Sequence, residues 1–245
     1  MNLLTKLKKI FAKKKTVPAG IQNRRFEIIF PDLYLAAIRL QYAAWRYGHL
    51  THDETLVQIA ALARYLKPKK VFEFGTFDGR TTLNIALNLE EGGTVYSLDL
   101  PEQDLSESVE EKEKLYMQQK LRRCLFRENK IPENVLKKTV LLEGDSNLFD
   151  FNPFHSDVDL VLVDGGHDRK TIISDSCNAF QMLKPRGTII WDDYCDYWPD
   201  VVRVLDRLSL LLPLFRDERT GLVLYRAEQK APISPEKIRA FLIKE

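Results

Sequence analysis

From residue 71 onward the chain alternates short apolar runs with helix-like stretches, and that alternation limits the available folds more than any other feature. The runs are Val71 to Gly75, Thr94 to Asp99, Thr139 to Glu143, Val158 to Asp164 and Gly187 to Asp192. Strands separated by helical crossovers imply βαβ units and a parallel sheet. Buried strands of such a sheet are continuously apolar, and Val158, Leu160, Val161, Leu162 and Val163 fit, with one interruption at Asp159. Ligands of an open α/β sheet bind at the carboxyl ends of its strands, so the residues ending these runs are the first site candidates.

Before the first run, the apolar spacing gives one helix from about Asp32 to Tyr47 and a second from about Asp53 to Leu66. The second aligns Leu56, Ile59, Ala60, Ala63 and Leu66, has Thr51 or His52 near its cap, and ends ahead of Pro68. After the last run come a helix over Pro199 to Leu212, two strands within Leu214 to Arg226 around a turn at Asp217 to Gly221, and a short helix opened by Ser234 and Pro235. The chain thus divides into a basic amphipathic segment (1–20), a helical cover (21–66), an α/β core (67–230) and a C-terminal helix (231–245).

At 245 residues one large domain suffices. The 37 Lys and Arg nearly balance 35 Asp and Glu, which removes the main electrostatic argument for a nucleic-acid partner. Cys124, Cys177 and Cys195 form no C-x-x-C pair, so neither a disulfide framework nor a zinc knuckle is suggested, and a reducing cytoplasm is the simplest location. No apolar run approaches the ~20 residues of a membrane span, and no hydrophobic signal core precedes a cleavage site.

Two charged segments stand apart. Near the amino terminus, Leu3, Leu4, Leu7, Ile10 and Phe11 share a helical face while Lys6, Lys8, Lys9, Lys13, Lys14 and Lys15 crowd the rest. This reads either as attachment to an anionic inner membrane surface or acidic partner, or as a frayed, solvated helix. Pro101 to Lys138 begins acidic and turns basic, reading as a helical cover over the site or a solvated helix packed on the sheet.

The chemistry gathers at the run ends. Gly75 and Gly79, in Gly-Thr-Phe-Asp-Gly, form a glycine turn opening a helix, where helix-start amides and the Thr81 hydroxyl can bind a carboxylate of a nucleotide-like ligand. The G-x-x-x-G spacing disfavours a nicotinamide dinucleotide, whose pyrophosphate calls for G-x-G-x-x-G. Asp99 ends the next run, where a carboxylate accepts both hydrogen bonds of a ribose diol or caps a helix. Asp145 and Ser146 end the third, and either reach an adenine edge or form a capping turn.

Asp164, in Asp-Gly-Gly-His, and the pair Asp192 and Asp193 bring three carboxylates to one sheet edge. Such charges repel unless one is protonated or a cation joins them, and hard oxygen ligands suit Mg²⁺ or another divalent ion; solvent-facing acids are the plainer reading. His167 lies beside them and suits removal of a proton from a substrate hydroxyl, or a structural place in a glycine-flanked turn.

With these motifs in order, followed by Lys184-Pro-Arg-Gly187 before Trp191-Asp192-Asp193-Tyr194, the chain resembles a class I S-adenosylmethionine-dependent methyltransferase over roughly Asp53 to Arg226. It is most similar to the small D-G-G-H O-methyltransferases of methyltransferase family 24, related to the catechol-type enzymes. The resemblance implies a Rossmann-like α/β fold with helices on both faces of a seven-stranded, mostly parallel sheet whose last strand is antiparallel. It also implies S-adenosylmethionine as cofactor, with Glu73, Gly75, Phe77, Gly79 and Thr81 around the methionine part, Asp99 on the ribose, and Asp145 with Ser146 near the adenine. Metal-dependent relatives carry acids matching Asp164 and Asp192, and Asn or Asp matching Asp193; where they use a lysine base, this chain has His167.

The expected reaction is transfer of a methyl group to a hydroxyl on a small-molecule acceptor such as a sugar, polyketide or phenol, by a protein that acts alone or as a homodimer. Asp164 and His167 carry the catalysis, and a divalent metal at Asp164, Asp192 and Asp193 orients the hydroxyl. The rivals are a noncatalytic Rossmann-like scaffold and a nicotinamide-dependent oxidoreductase.

Overall fold

The computed structural model describes residues 20–41, 53–101, 124–128, 131–227 and 234–244. The basic helix expected at residues 1–15, the end of the helix expected to reach Tyr47, the caps at Thr51 or His52, and most of the charged segment from Pro101 to Lys138 lie outside these residues.

The five apolar runs are strands β2 (Lys70–Phe74), β3 (Thr94–Asp99), β4 (Thr139–Glu143), β5 (Val158–Val163) and β6 (Leu183–Trp191). They are joined by β7 (Phe215–Arg216), β8 (Val223–Arg226) and a two-residue edge strand, β1 (Gln22–Asn23). The order across the sheet is β1-β7-β8-β6-β5-β2-β3-β4. All neighbours pair in parallel except β8, which is antiparallel to both β6 and β7. The sheet is therefore the expected seven-stranded plan with its antiparallel last strand, extended by β1. That extension had no sequence signal, because Gln22 and Asn23 are strand only through pairing with Phe215 and Arg216.

Helices α1 (Phe26–Ile29), α2 (Asp53–Leu66) and α3 (Arg80–Asn88) are followed by the short α4 (Cys124–Glu128) and α5 (Glu133–Leu136). Then come α6 (Arg169–Met182), α7 (Pro199–Ser209) and α8 (Pro235–Ile243), the last capped by the Ser234 hydroxyl as its sequence requires. Side chains alternate across a strand, so each strand feeds two cores. Phe72, Phe74, Val161, Val163 and Trp191 pack with Ile172, Val204, Leu208 and Ile238 on one face. Val71, Leu160, Leu162 and Ile190 pack with Ile59, Leu62, Leu83 and Phe26 on the other. Each fully buried side chain of this kind contributes about 1.5–3 kcal/mol. Asp159, the one polar interruption in β5, accepts the backbone amides of Lys69 (3.0 Å) and Lys70 (2.9 Å) and so fixes the entry of β2 beside it.

The helix expected from about Asp32 is absent over residues 32–41. Phe30, which precedes Pro31, is extended at φ −121°, Asp32 is left-handed at φ 71°, and only one 3-10 turn, Leu33–Leu35, follows. Long-range partners override the local pattern here. Asp217, fully buried in the β7–β8 turn, accepts the Phe26 amide at 3.1 Å. Asn88 of α3 brackets Arg39, accepting its amide at 2.9 Å and donating to its carbonyl at 2.8 Å, while Asn84 accepts the Gln41 amide at 3.2 Å. Those buried amide side chains satisfy extended backbone that a helix would have satisfied internally.

Candidate active site

Backbone bonds bring the strand ends into line. The Gly75 amide donates to Leu98, Gly144 to Asp99, Asp164 to Phe74 and Asp192 to Val163, at 2.8–3.1 Å. The sequence-singled residues therefore share one edge of the sheet.

Gly75, at φ +88°, lies so close to β5 that a Cβ would sit 2.0 Å from the Asp164 carbonyl oxygen; Gly79, at φ +91°, would meet the Phe126 ring at 2.4 Å. The first glycine is thus demanded by the neighbouring strand and the second by α4. Phe77 between them is also left-handed, at φ 43°. Its amide donates to Asp99 Oδ2 at 2.9 Å, while Asp99 Oδ1 accepts the Leu100 amide at 2.8 Å. Asp99 therefore ties the glycine turn to β3.

At the start of α3 the first amide is already taken. Asp78 accepts the Arg80 amide at 2.9 Å and pairs with its guanidinium at 2.9 Å, both side chains buried. Thr81, also buried, stands in the first turn. Glu73 is completely buried beneath the turn, its Oε2 accepting from the Thr82 and Ser97 hydroxyls while its Oε1 has no hydrogen-bond partner. Burial pushes its pKa up to about 8. Ser97 was a readable signal, a polar residue two positions before Asp99 in a buried strand.

On the other half of the edge, Asp145 closes an Asx-type turn, accepting the Asn147 amide at 2.8 Å and its side-chain amide at 3.0 Å. Asp168 caps α6, accepting the amides of Lys170 and Thr171 at 3.0 Å. The Asp-Gly-Gly-His loop is thereby held over α6, and at Gly166 a Cβ would lie 2.9 Å from the Thr171 methyl group.

His167 Nε2 is 2.7 Å from Asp193 Oδ2, and its ring stacks on Trp198 with centroids 3.8 Å apart and planes 11° from parallel. Asp193 is itself left-handed, at φ 62°. Among the described residues, Asp164, His167 and Asp193 form one group whose ligating atoms all lie within 4.8 Å of one another. Asp192 stands beside that group, its Oδ1 accepting the Asp193 amide at 2.8 Å. Desolvation, then the neighbouring acids, raises Asp164 well above the carboxylate range and Asp192 to about 7, although both residues keep some exposure at the edge. The pairing of Trp198 with His167 had no sequence signal, because the two lie in loops after different strands.

A family model described as a methyltransferase domain matches residues 72–194, half of the chain. The chain belongs to this methyltransferase family. No curated protein sequence matches it. Among solved structures, the methyltransferase is similar to SAH-bound PaMTH1 of Podospora anserina (TM-score 0.54, 15% identity, 94% of this chain and 97% of that one). It is also similar to an O-methyltransferase from Bacillus cereus in complex with SAH (0.53, 16%, 74% and 84%) and to TomG of Streptomyces achromogenes, an O-methyltransferase involved in tomaymycin synthesis, in complex with SAM (0.51, 15%, 73% and 82%). At these identities the likeness is one of fold. The matched span of the family model runs from within β2 through Tyr194 and contains the site residues named above except Trp198.

Proposed function

We propose that this methyltransferase moves a methyl group from S-adenosylmethionine to a hydroxyl of a small molecule such as a sugar, polyketide or phenol. One observation carries the reading: a backbone-clamped acid, Asp99, and a histidine–carboxylate pair, His167 with Asp193, stand on the same sheet edge. The orphaned Oε1 of Glu73 supports it, since a buried oxygen without a donor fits the amino group of the cofactor's methionine part. The cofactor supplies an electrophilic methyl group on a sulfonium. Asp99 accepts the ribose hydroxyls, the turn from Gly75 through Phe77 to Gly79 and Thr81 encloses the methionine part, and Asp145 with Ser146 borders the adenine. His167 takes the acceptor's proton, Asp193 stabilises the imidazolium, and Trp198 fixes the ring plane.

A second reading is favoured by the proximity of Asp164, His167 and Asp193: two carboxylates and an imidazole within reach of one ion are a fitting donor set for a divalent cation. Asp192, expected as a ligand beside Asp164 and Asp193, would then act next to the ion. A bound ion at this place would orient the acceptor hydroxyl and lower its pKa.

Calorimetric titration with S-adenosylhomocysteine tests the main reading. Wild type binds, and Asp99→Ala weakens binding by about 100-fold or more, the worth of two charge-assisted hydrogen bonds. Failure of folded wild type to bind, with or without Mg²⁺, would sink it. Titration with Mg²⁺ alone tests the second reading: heat that disappears in Asp164→Asn supports it, and no heat in wild type removes it.

A further inference from the structure

Two arginines flank the turn between β7 and β8, and they are answered differently. Arg219 is met by Asp217 at 3.0 Å and by Glu27 at 3.2 Å. Among the described residues no acid pairs with Arg216: its side chain is partly buried, its Nε is buried without a hydrogen-bond partner, and its guanidinium carbon lies 5.0 Å over the Tyr194 ring. Native proteins seldom leave a desolvated guanidinium donor without an acceptor. Register fixes where this arginine stands. Arg216 pairs with Val223, and Val223 with Trp191, so the three side chains share one face at the carboxyl end of the sheet. From β7 to β6 is a distance of two strands, about 10 Å. Tyr194 reaches into that gap from the residue after Asp193, whose carboxylate meets His167, and its hydroxyl is turned away to Asp206 at 2.6 Å.

We propose that Arg216 is a specificity-determining residue that holds an acidic oxyanion of the methyl acceptor, a carboxylate or a phosphate ester, while His167 faces the hydroxyl to be methylated. The inference rests on the reading of His167 as the base toward an acceptor hydroxyl. The acids of this edge set the physical problem. Asp164, Asp192 and Asp193 by themselves repel an anion and favour neutral or cationic acceptors. An acidic acceptor is admitted only where a cation is fixed on its approach, and a guanidinium suits because its fork of N–H groups matches two oxygens of one anion. Packing over the Tyr194 ring holds the cation in place without consuming those donors. With the strands about 10 Å apart, a hydroxy acid of one small ring reaches from Arg216 to His167.

The test is calorimetry on protein loaded with S-adenosylhomocysteine, using pairs of probes with and without the charge: protocatechuate against its amide, glucuronate against glucuronamide, and glucose phosphate against glucose. Wild type binds the charged member of at least one pair roughly 10- to 100-fold more tightly, the range for hydrogen bonds to a charged group. Which pair responds tells carboxylate from phosphate. Arg216→Gln brings that ratio to within about 3-fold of unity, while Arg216→Lys keeps the charge, loses the planar fork and retains part of the preference. An arginine that merely supports Tyr194 would, when replaced, shift both members of a pair alike. An unchanged ratio in Arg216→Gln therefore overturns the proposal, as does a wild type that favours the charged member of no pair. Titration of each variant with S-adenosylhomocysteine shows whether it is folded. If wild type fails to bind S-adenosylhomocysteine, the cofactor reading fails and the proposal with it. If wild type binds it and does not distinguish the probes, only the proposal fails.

Discussion

Gly75→Ala is expected to cost about 4 kcal/mol or more of folding stability, read as a fall in the urea midpoint at unchanged slope. Two costs add. A left-handed backbone at φ +88° is strained by about 1–2 kcal/mol for any L side chain. The new Cβ would also stand 2.0 Å from the carbonyl oxygen of Asp164, the residue after β5, and that residue is held beside β2 by its amide bond to Phe74. Relief requires prising β2 from β5 at the site itself. Gly92→Ala is the internal control, with φ +76° and nothing within 4 Å, so it should cost only the backbone strain of about 1–2 kcal/mol. Equal losses in the two variants would show that β2 and β5 separate easily at this point.

Stability should fall as pH rises from about 5 to 8, and Asp175→Asn should remove part of that fall. Glu73 and Asp175 both have their pKa raised to about 8 by burial. Between the ordinary carboxylate range and that value the folded protein keeps protons that the unfolded chain has released. The unfolded state then binds fewer protons, so the stability present at low pH is lost as pH climbs, and it levels off above about 8. Each group's slope approaches about 1.4 kcal/mol per pH unit, and relaxation around the charge reduces the total to a few kcal/mol. Asp192, raised to about 7, slopes the same way, so the informative quantity is the difference between variant and wild type. Asp175→Asn should lie near wild type at pH 5 and above it by about 2–3 kcal/mol at pH 8. Parallel curves would mean that Asp175 ionises without penalty.

The sheet was legible because its central strands, β2 and β5 above all, are buried on both faces and therefore largely apolar, and because the acids that end the runs break that pattern sharply. Asp99, Asp164, Asp192 and Asp193 could be read as strand ends without coordinates. The segment around Asp32 could not: its spacing suits a helix, and only Asn84, Asn88 and Asp217, far away in the chain, pull it extended. Asp175 was equally hidden, since an acid in a helix reads as its solvated side until Gly165 is known to cover it. The Asp78–Arg80 pair escaped for the opposite reason, two charges in a polar loop giving no sign that both are buried. The stacking of His167 on Trp198 depends on the path of the loop after β6, which no periodicity encodes.

The bond from the Phe26 amide to Asp217 spans 191 residues. Chains are made from the amino terminus, so the piece synthesised early must wait, without its strand partner, until β7 has left the ribosome. Closing so long a loop is entropically slow, and docking of residues 22–30 should be among the last events of folding. A nascent chain halted before Asp217 would hold Phe26, Phe30 and Leu33 without their final shelter, offering apolar surface to chaperones for the whole of its synthesis. In this protein the beginning of the message is folded by its end.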